Sequence, residues 1–404
     1  MNLYYKVNYK NLYLLYIFLL IIFFPTQFIL KEVIHHNFLY YDDLIVLSLV
    51  PMFLLHLKDD MYLLMYLLFL TIFVAIFLLV NNNPFGVIGD LQWFLKPLIM
   101  IYGLGYLLKN HFSDRINRKL LDVLLIFSLL GALYGLMQFI SWNIYATILP
   151  LSDIKIIPYL NILIGTDIPV GRVAGIWGHQ NFYGLIAMVV SIYGLINKKK
   201  LYLFSGISGL IISFSRWPIF LTVIAIMYLS MNKNYKYLRK YSFSLIIIIL
   251  TSALFYSNNI TSVYDNVYKS YSSTPKIYGM IKTVELIGKH PFGVGLGMYG
   301  TKYSAGSYIY KELDFKSNIQ KILLTATSGI ESFYAILLSQ TGIIGLLLFM
   351  GIFLRHFIGK QSILLKLKFL LILLLPFYYN LYFPSFLVYN LVLLNHNQKH
   401  LSIN

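Results

Sequence analysis

A chain of 404 residues that is 59% hydrophobic and only 12% charged, with a mean hydropathy of +0.72, has too little polar surface to cover a water-soluble fold. Its formal net charge of +17 does not require nucleic acid, because the lysines and arginines fall in short clusters between apolar runs, the pattern of basic cytoplasmic loops. With no cysteine, a disulfide framework, a thiolate metal site and a cysteine nucleophile are all excluded.

Taken in chain order, the apolar runs predict an all-α, polytopic integral membrane protein, one membrane domain over 1–404. Continuous rather than alternating hydrophobicity argues against an outer-membrane barrel. The first run, 11–30, follows Lys6 and Lys10 as a signal peptide would. It is long and lacks a small-x-small cleavage site, so we read it as an uncleaved first helix. Further runs lie near 40–57, 61–80, 91–108, 119–140 and 181–196, then near 201–214, 217–231, 242–256, 332–354, 363–380 and 382–395. Each approaches the length that crosses a hydrocarbon core of roughly 30 Å, giving about 12 transmembrane helices.

The loops orient these helices. Lys109, Arg115, Arg118 and Lys119 form one basic cluster and Lys198 to Lys200 a second. Lys233, Lys236, Arg239 and Lys240 form a third, and Arg355 with Lys360 a fourth. All four fall on one side with both termini, the cytoplasmic side by the charge rule. The other face receives Glu32, Asp42 and Asp43, the loop 81–90, the Ser215-Arg216-Trp217 turn and two long connections, 141–180 and 257–331. Loops of this length usually carry function. In the second, Ile277, Met280, Ile281, Val284 and Ile287 recur at helical spacing, with Lys276, Lys282, Glu285 and Lys289 between them. That pattern predicts an amphipathic helix lying at the outer interface. Pro291 stops it, and a flexible Gly293-Val294-Gly295-Leu296-Gly297 turn follows, able to bring backbone amides to a ligand.

Five polar features share this external face: Arg172, the His179-Gln180-Asn181 triplet, Ser215-Arg216, Lys276 and Glu331. Each has a plainer reading. An arginine at a membrane boundary often snorkels, His179 suits a structural histidine, Asn181 a helix N-cap, and Glu331 an acidic first-turn residue. Two arginines and a lysine opposite the side where positive charge gathers nevertheless suit a phosphate or pyrophosphate ligand at the outer leaflet. No HExxH, paired external carboxylates or His/Asp/Glu cluster has metal spacing, so we expect neither metal nor cofactor. Lys96, beside Pro97, is a charge inside a span, where it either faces an anionic ligand or snorkels.

GRVAGIWGHQNFYG, Gly171 to Gly184, resembles the R-x-x-G-x-x-x-x-x-N motif of the O-antigen polymerase and O-antigen ligase family of bacterial envelope glycosyltransferases. SFSRWPIF, Ser213 to Phe220, is similar to that family's S-x-SR turn. KIYGMIKTVELIGKHPFGVGLGMYG, Lys276 to Gly300, resembles its interfacial helix and HPxxGVGLG turn, and ESFYAILLSQTGIIGLLLF, Glu331 to Phe349, its closing HNxYL and GxxGL element. The four occur in the family's order.

The resemblance implies a GT-C-like membrane glycosyltransferase of the cytoplasmic membrane with its site on the external face. It implies a metal-independent, inverting transfer from an undecaprenyl-pyrophosphate-linked oligosaccharide. Arg172 and Arg216 would contact the pyrophosphate; Lys276 stands where the family usually has arginine and keeps the charge without the fork. Glu331 stands where ligases place a histidine proposed as general base, which favours a polymerase of surface polysaccharide. His179, Asn181, Ser215, Gly293 and Gly295 complete the set as substrate-binding candidates. Implied partners are the lipid-linked glycan, membrane lipid, a chain-length regulator and a flippase. The alternatives are a ligase passing finished glycan to a lipid or protein acceptor, and a transporter of lipid-linked sugars, which should show repeated halves, broken helices and polar groups near the midplane.

Overall fold

The computed structural model describes residues 41–58, 60–80, 84–110, 114–140, 156–157, 170–171, 180–213, 215–232, 235, 237–238, 274–301, 304, 307, 309–313, 332–358, 362–375, 387 and 390–391. Within them the chain is helical apart from one short strand pairing. In order come α1 (Tyr41–Ser48), α2 (Val50–Leu57), α3 (Met61–Val80), α4 (Pro84–Leu98), α5 (Leu104–Asn110) and α6 (Asp114–Ile140). Next are β1 (Ile156–Ile157) and β2 (Val170–Gly171), α7 (Gln180–Ile196), α8 (Lys200–Ser213) and α9 (Arg216–Ser230). Then follow α10 (Thr274–Lys289), α11 (Ile309–Glu312), α12 (Phe333–Leu354) and α13 (Ile363–Leu374). The expected spans 11–30 and 242–256 lie outside the described residues, as does most of 382–395.

Among the described residues, four helical stretches are long and apolar enough to cross a membrane: Met61–Leu79, Pro84–Lys109, Lys119–Met137 and Phe333–Phe357. Helix α3 shows the physical reason. Leu63, Tyr66, Leu70 and Phe73 are buried, while Met61, Leu64, Met65, Leu68, Ile72, Ile76 and Leu79 form an exposed stripe on the opposite side. Both stripes follow helical spacing and both are apolar. Leaving seven such side chains in water would forgo on the order of 10 kcal/mol, comparable with the whole stability of a typical domain. Lipid is the solvent that removes this cost.

One boundary differs from expectation. The run 91–108 begins earlier, at Pro84, which occupies the first helical position where its missing N–H costs nothing. Asp90 therefore lies inside α4 and is fully buried, rather than ending an external loop. Downstream, Pro97 leaves a carbonyl without its donor, and the helix passes through a π-turn, Ile99–Gly103, before α5.

The described chain divides into two compact units. The first comprises Met1–Phe53, Ile99–Arg239 and Phe383–Asn404; the second, Leu54–Leu98 and Lys240–Tyr382.

In the first unit α7 and α8 form a tight hairpin through 197–199, where Lys198 adopts a left-handed φ of 54°. Helix α9 packs on α7, and α6 packs on both hairpin helices. Their backbones come close because small residues face each other: a Cβ on Gly206 would lie 2.6 Å from Ser191 Cα. Strands β1 and β2 pair antiparallel, Ile156 opposite Gly171 and Ile157 opposite Val170.

The second unit is built on α12. Helices α3 and α10 pack against it, α4 packs on α3, and α13 packs on α12. Its centre is aromatic: Phe333 meets Phe94 edge-on at 5.6 Å and Phe349 at 5.3 Å, and Phe349 meets Tyr66 at 5.5 Å. At one end, Asp60 accepts Leu63 N–H at 2.9 Å and caps α3. Its carboxylate also pairs in a two-point fork with Arg355, which follows α12.

Candidate functional site

In the first unit, two of the sequence motifs touch. Gly184, which closes the Gly171–Gly184 stretch, lies in the first turns of α7; a Cβ there would sit 2.8 Å from Ser215 Cβ, 3.0 Å from Ser213 Oγ and 3.1 Å from Pro218 Cγ. All three belong to the Ser213–Phe220 motif. The start of α7 and the start of α9 are thus neighbours. Each helix N-terminus carries partial positive charge, so two together form a place where an anion is welcome.

Ser215, 1% exposed, is the N-cap residue of α9 by its extended backbone, φ −88° and ψ 106°. Arg216 is the first helical residue. Helix α7 begins at Gln180, so Asn181 sits inside its first turn rather than at the expected cap. The side chains of Asn181 and Arg216 fall outside the described residues, as do Arg172 and His179 altogether. Arg172 immediately follows β2, whose pairing with β1 ties that end of the first long loop.

In the second unit the expected amphipathic helix is present as α10. Lys282, Thr283 and Leu286 are buried, whereas Met280, Ile281 and Val284 are exposed. Lys282 is neutralised by Glu285 at 2.6 Å, and Lys289 lies 3.5 Å from the same carboxylate. Lys276 occupies the first turn of α10, its side chain outside the described residues.

Beyond α10 the chain turns against α12. His290 pairs with Glu312 at 3.0 Å. Gly293, Gly295 and Gly297 all have positive φ, of 85°, 96° and 76°. The turn lies against a break in α12 at Gly342, whose φ of 70° and ψ of −171° are not helical. Gly342 is the tenth residue of α12, roughly 14 Å along its axis at the usual helical rise. There Val294 N–H donates to Ser339 O at 2.9 Å, Gly295 N–H to Gln340 O at 3.0 Å, and Ile343 N–H to Pro291 O at 3.2 Å. The turn and the broken helix complete each other's hydrogen bonding, which non-helical backbone at membrane depth requires. Glycine is needed on both sides: a Cβ at Gly293 would overlap the Gln340 carbonyl, and one at Gly342 would lie 2.6 Å from Pro291 O.

A buried polar knot holds the far end of the turn. Asp90 Oδ2 accepts Gly297 N–H at 2.8 Å and Gln340 Nε2 at 2.6 Å, and Gln340 Nε2 also donates to Tyr299 O at 2.7 Å. Just beyond, Tyr310 OH accepts Gly300 N–H at 3.0 Å and lies 2.9 Å from Ser304 Oγ. Burial raises the Tyr310 phenol above its ordinary pKa, so it stays protonated and keeps both contacts. The amides of Gly293, Val294, Gly295 and Gly297 are accordingly engaged within the protein. Gly293 and Gly295 give this loop its shape, and the flexibility read from their sequence is not realised.

Glu331 lies outside the described residues. It adjoins Ser332, the N-cap of α12, whose hydroxyl accepts Ala335 N–H at 3.4 Å. Asp90 and Gln340 escaped the sequence reading. A carboxylate within a continuous apolar helix was the available signal, and it was hidden by assigning 81–90 to a loop. Lys96, on the same helix, is half-buried. Among the described residues no group of three His, Cys, Asp or Glu side chains has metal-holding geometry.

Comparison with known proteins adds one match. Residues 201–350 match the family model described as O-antigen ligase. No curated protein matches the chain. The matched segment holds Ser215, Arg216, Lys276, Gly293, Gly295 and Glu331, and implies an enzyme of glycan transfer or ligation in a membrane. Three of the four ordered motifs lie within this segment, and the match supports their resemblance to the O-antigen polymerase and ligase family.

Proposed function

We propose that the chain is a polymerase joining undecaprenyl-pyrophosphate-linked oligosaccharide repeat units at the outer face of the cytoplasmic membrane. A sugar hydroxyl of one repeat attacks the anomeric carbon of the reducing-end sugar on a second carrier. The new glycosidic bond forms as the bond to pyrophosphate breaks, with inversion. Glu331 accepts the hydroxyl proton. Arg172, Arg216 and Lys276 stabilise the negative charge gathering on the departing lipid pyrophosphate. Pyrophosphate is already a good leaving group, so positioning and electrostatics suffice and no metal is invoked.

The observation that most supports this reading is the contact of Gly184 with Ser213, Ser215 and Pro218. It sets two helix N-termini side by side with Arg216 at the head of one, an environment suited to a diphosphate. A carboxylate at Glu331 supports polymerisation over ligation. A chain-length regulator and a flippase are the partners this role requires.

Arg216→Ala in the full-length chain, in cells lacking their own copy, is expected to cut polymer by about 100-fold or more while the protein stays in the membrane. Wild-type polymer from that variant contradicts the assignment.

The ligase reading keeps one favouring observation, the description of the family model itself. The glycan left on the carrier when the chain is absent distinguishes the two: single repeat units for a polymerase, unattached polymer for a ligase. The break at Gly342 and the buried Asp90 are features of a carrier. Here the turn 291–297 fills the break and its polar groups pair with each other, which favours a fixed scaffold over a passage.

A further inference from the structure

The contact between Asp90, Gln340 and the turn at Gly297 joins three stretches of the second unit that are far apart in sequence: α4, α12 and the segment following α10. All of it is buried, Asp90 and Gln340 at 0% exposure and Leu296 likewise. The carboxylate is used unevenly. Oδ2 accepts from both Gly297 N–H and Gln340 Nε2. Oδ1 has no hydrogen-bond partner, and neither do Gln340 Oε1 and Thr301 Oγ1. The Thr301 hydroxyl nevertheless lies against this carboxylate, short of a well-formed hydrogen bond. One oxygen therefore does the holding.

We propose that Asp90 and Gln340 are positioning residues, a buried clasp that seats the turn 291–297 in the break of α12 through hydrogen bonding by a single carboxylate oxygen. The clasp fixes the end of α10, whose first turn carries Lys276, against the helix that Glu331 precedes. Its effect on glycan transfer rests on the polymerase reading above; its effect on the turn does not.

The unequal use of the two oxygens gives a sharp test. In Asp90→Asn the amide oxygen replaces Oδ2 and keeps both bonds, while its NH2 takes the place of Oδ1, which holds no bond in the parent. In Asp90→Ala Gly297 N–H is left buried and unsatisfied, and Gln340 Nε2 keeps only its bond to Tyr299 O. Because the chain has no cysteine, Leu296→Cys and, as a second probe, Val294→Cys report seating through their reaction with N-ethylmaleimide in membranes. Both positions are protected in the parent. Asp90→Ala is expected to speed labelling by about tenfold or more, and Asp90→Asn to leave it near the parent rate. Gln340→Leu, which keeps the carboxylate, is expected to behave as Asp90→Ala and serves if that variant fails to accumulate.

Polymer output is measured on the same substitutions without the cysteine probes. It should fall by about tenfold or more in Asp90→Ala and recover in Asp90→Asn. Continued protection in Asp90→Ala, or exposure in Asp90→Asn, overturns the clasp. A protected but inactive Asp90→Asn also overturns it, since the charge would then be doing chemistry. If loss of the whole chain leaves cellular glycans unchanged, the polymerase reading fails, and the labelling result still decides the clasp.

Discussion

Asp60 and Arg355 stand 295 positions apart, and their pairing ties the start of α3 to the end of α12. Asp60 is 1% exposed and also caps α3, while His56 lies 3.8 Å away. Arg355 is partly exposed and reaches over the Tyr62 ring at 5.9 Å. Removing one partner of such a pair leaves the other charge poorly compensated. Arg355→Ala is therefore expected to cost about 3 kcal/mol, discounted for the solvent Arg355 already sees. Asp60→Ala should cost at least as much, because it also removes the cap. The double variant should lose less than the two single losses added together. Thermal unfolding of the detergent-solubilised protein measures all three; additive losses would show that the residues act independently. The sequence placed Arg355 in a basic loop. That loop's partner was invisible, since a carboxylate in the short 58–60 connection carries no local sign of what it will meet.

At the scale of elements, glycines decide where helices bend and touch. Gly342→Ala should unseat the turn, because the new Cβ has no room beside Pro291 and the residue must hold a φ of 70°. Gly206→Leu should disrupt the α7–α8 hairpin for lack of space against Ser191. Gly288→Ala is the control: a Cβ there meets nothing within 4 Å, and alanine favours the helix it sits in. Comparing yields of folded, membrane-inserted protein checks this, with the first two expected to fall and the third to hold. Normal accumulation of Gly206→Leu would contradict the close approach.

Helix positions were readable because apolar length and periodicity are local properties. Phe333–Leu354 and Met61–Val80 lie within a residue of their expected bounds. The start of α4 was misread because the stretch 81–90, with three asparagines, a proline and two glycines, has the composition of a loop. What makes Asp90 acceptable in a helix is supplied by Gly297 and Gln340, 207 and 250 positions away. For the same reason the GVGLG turn read as flexible: sequence reveals the freedom of glycine, and the partners that remove it lie elsewhere in the chain.

Over the whole molecule, the pattern of charge implies that the basic connections face the cytoplasm and the long loops face outward. Single cysteines test this in a chain that has none. Lys199→Cys should react with an impermeant maleimide only after the membrane is opened, and Lys311→Cys, exposed in the second long loop, in intact cells. Reversed labelling would invert the topology and move the candidate residues away from any external substrate. The central claim is glycan transfer from a lipid pyrophosphate. Its most direct test supplies the purified chain in proteoliposomes with an undecaprenyl-pyrophosphate-linked oligosaccharide and excess EDTA, and resolves the products by size. We predict a ladder in steps of one repeat unit, release of the lipid pyrophosphate, and loss of both with Arg216→Ala. Unchanged donor, or a ladder that survives Arg216→Ala, would contradict the account.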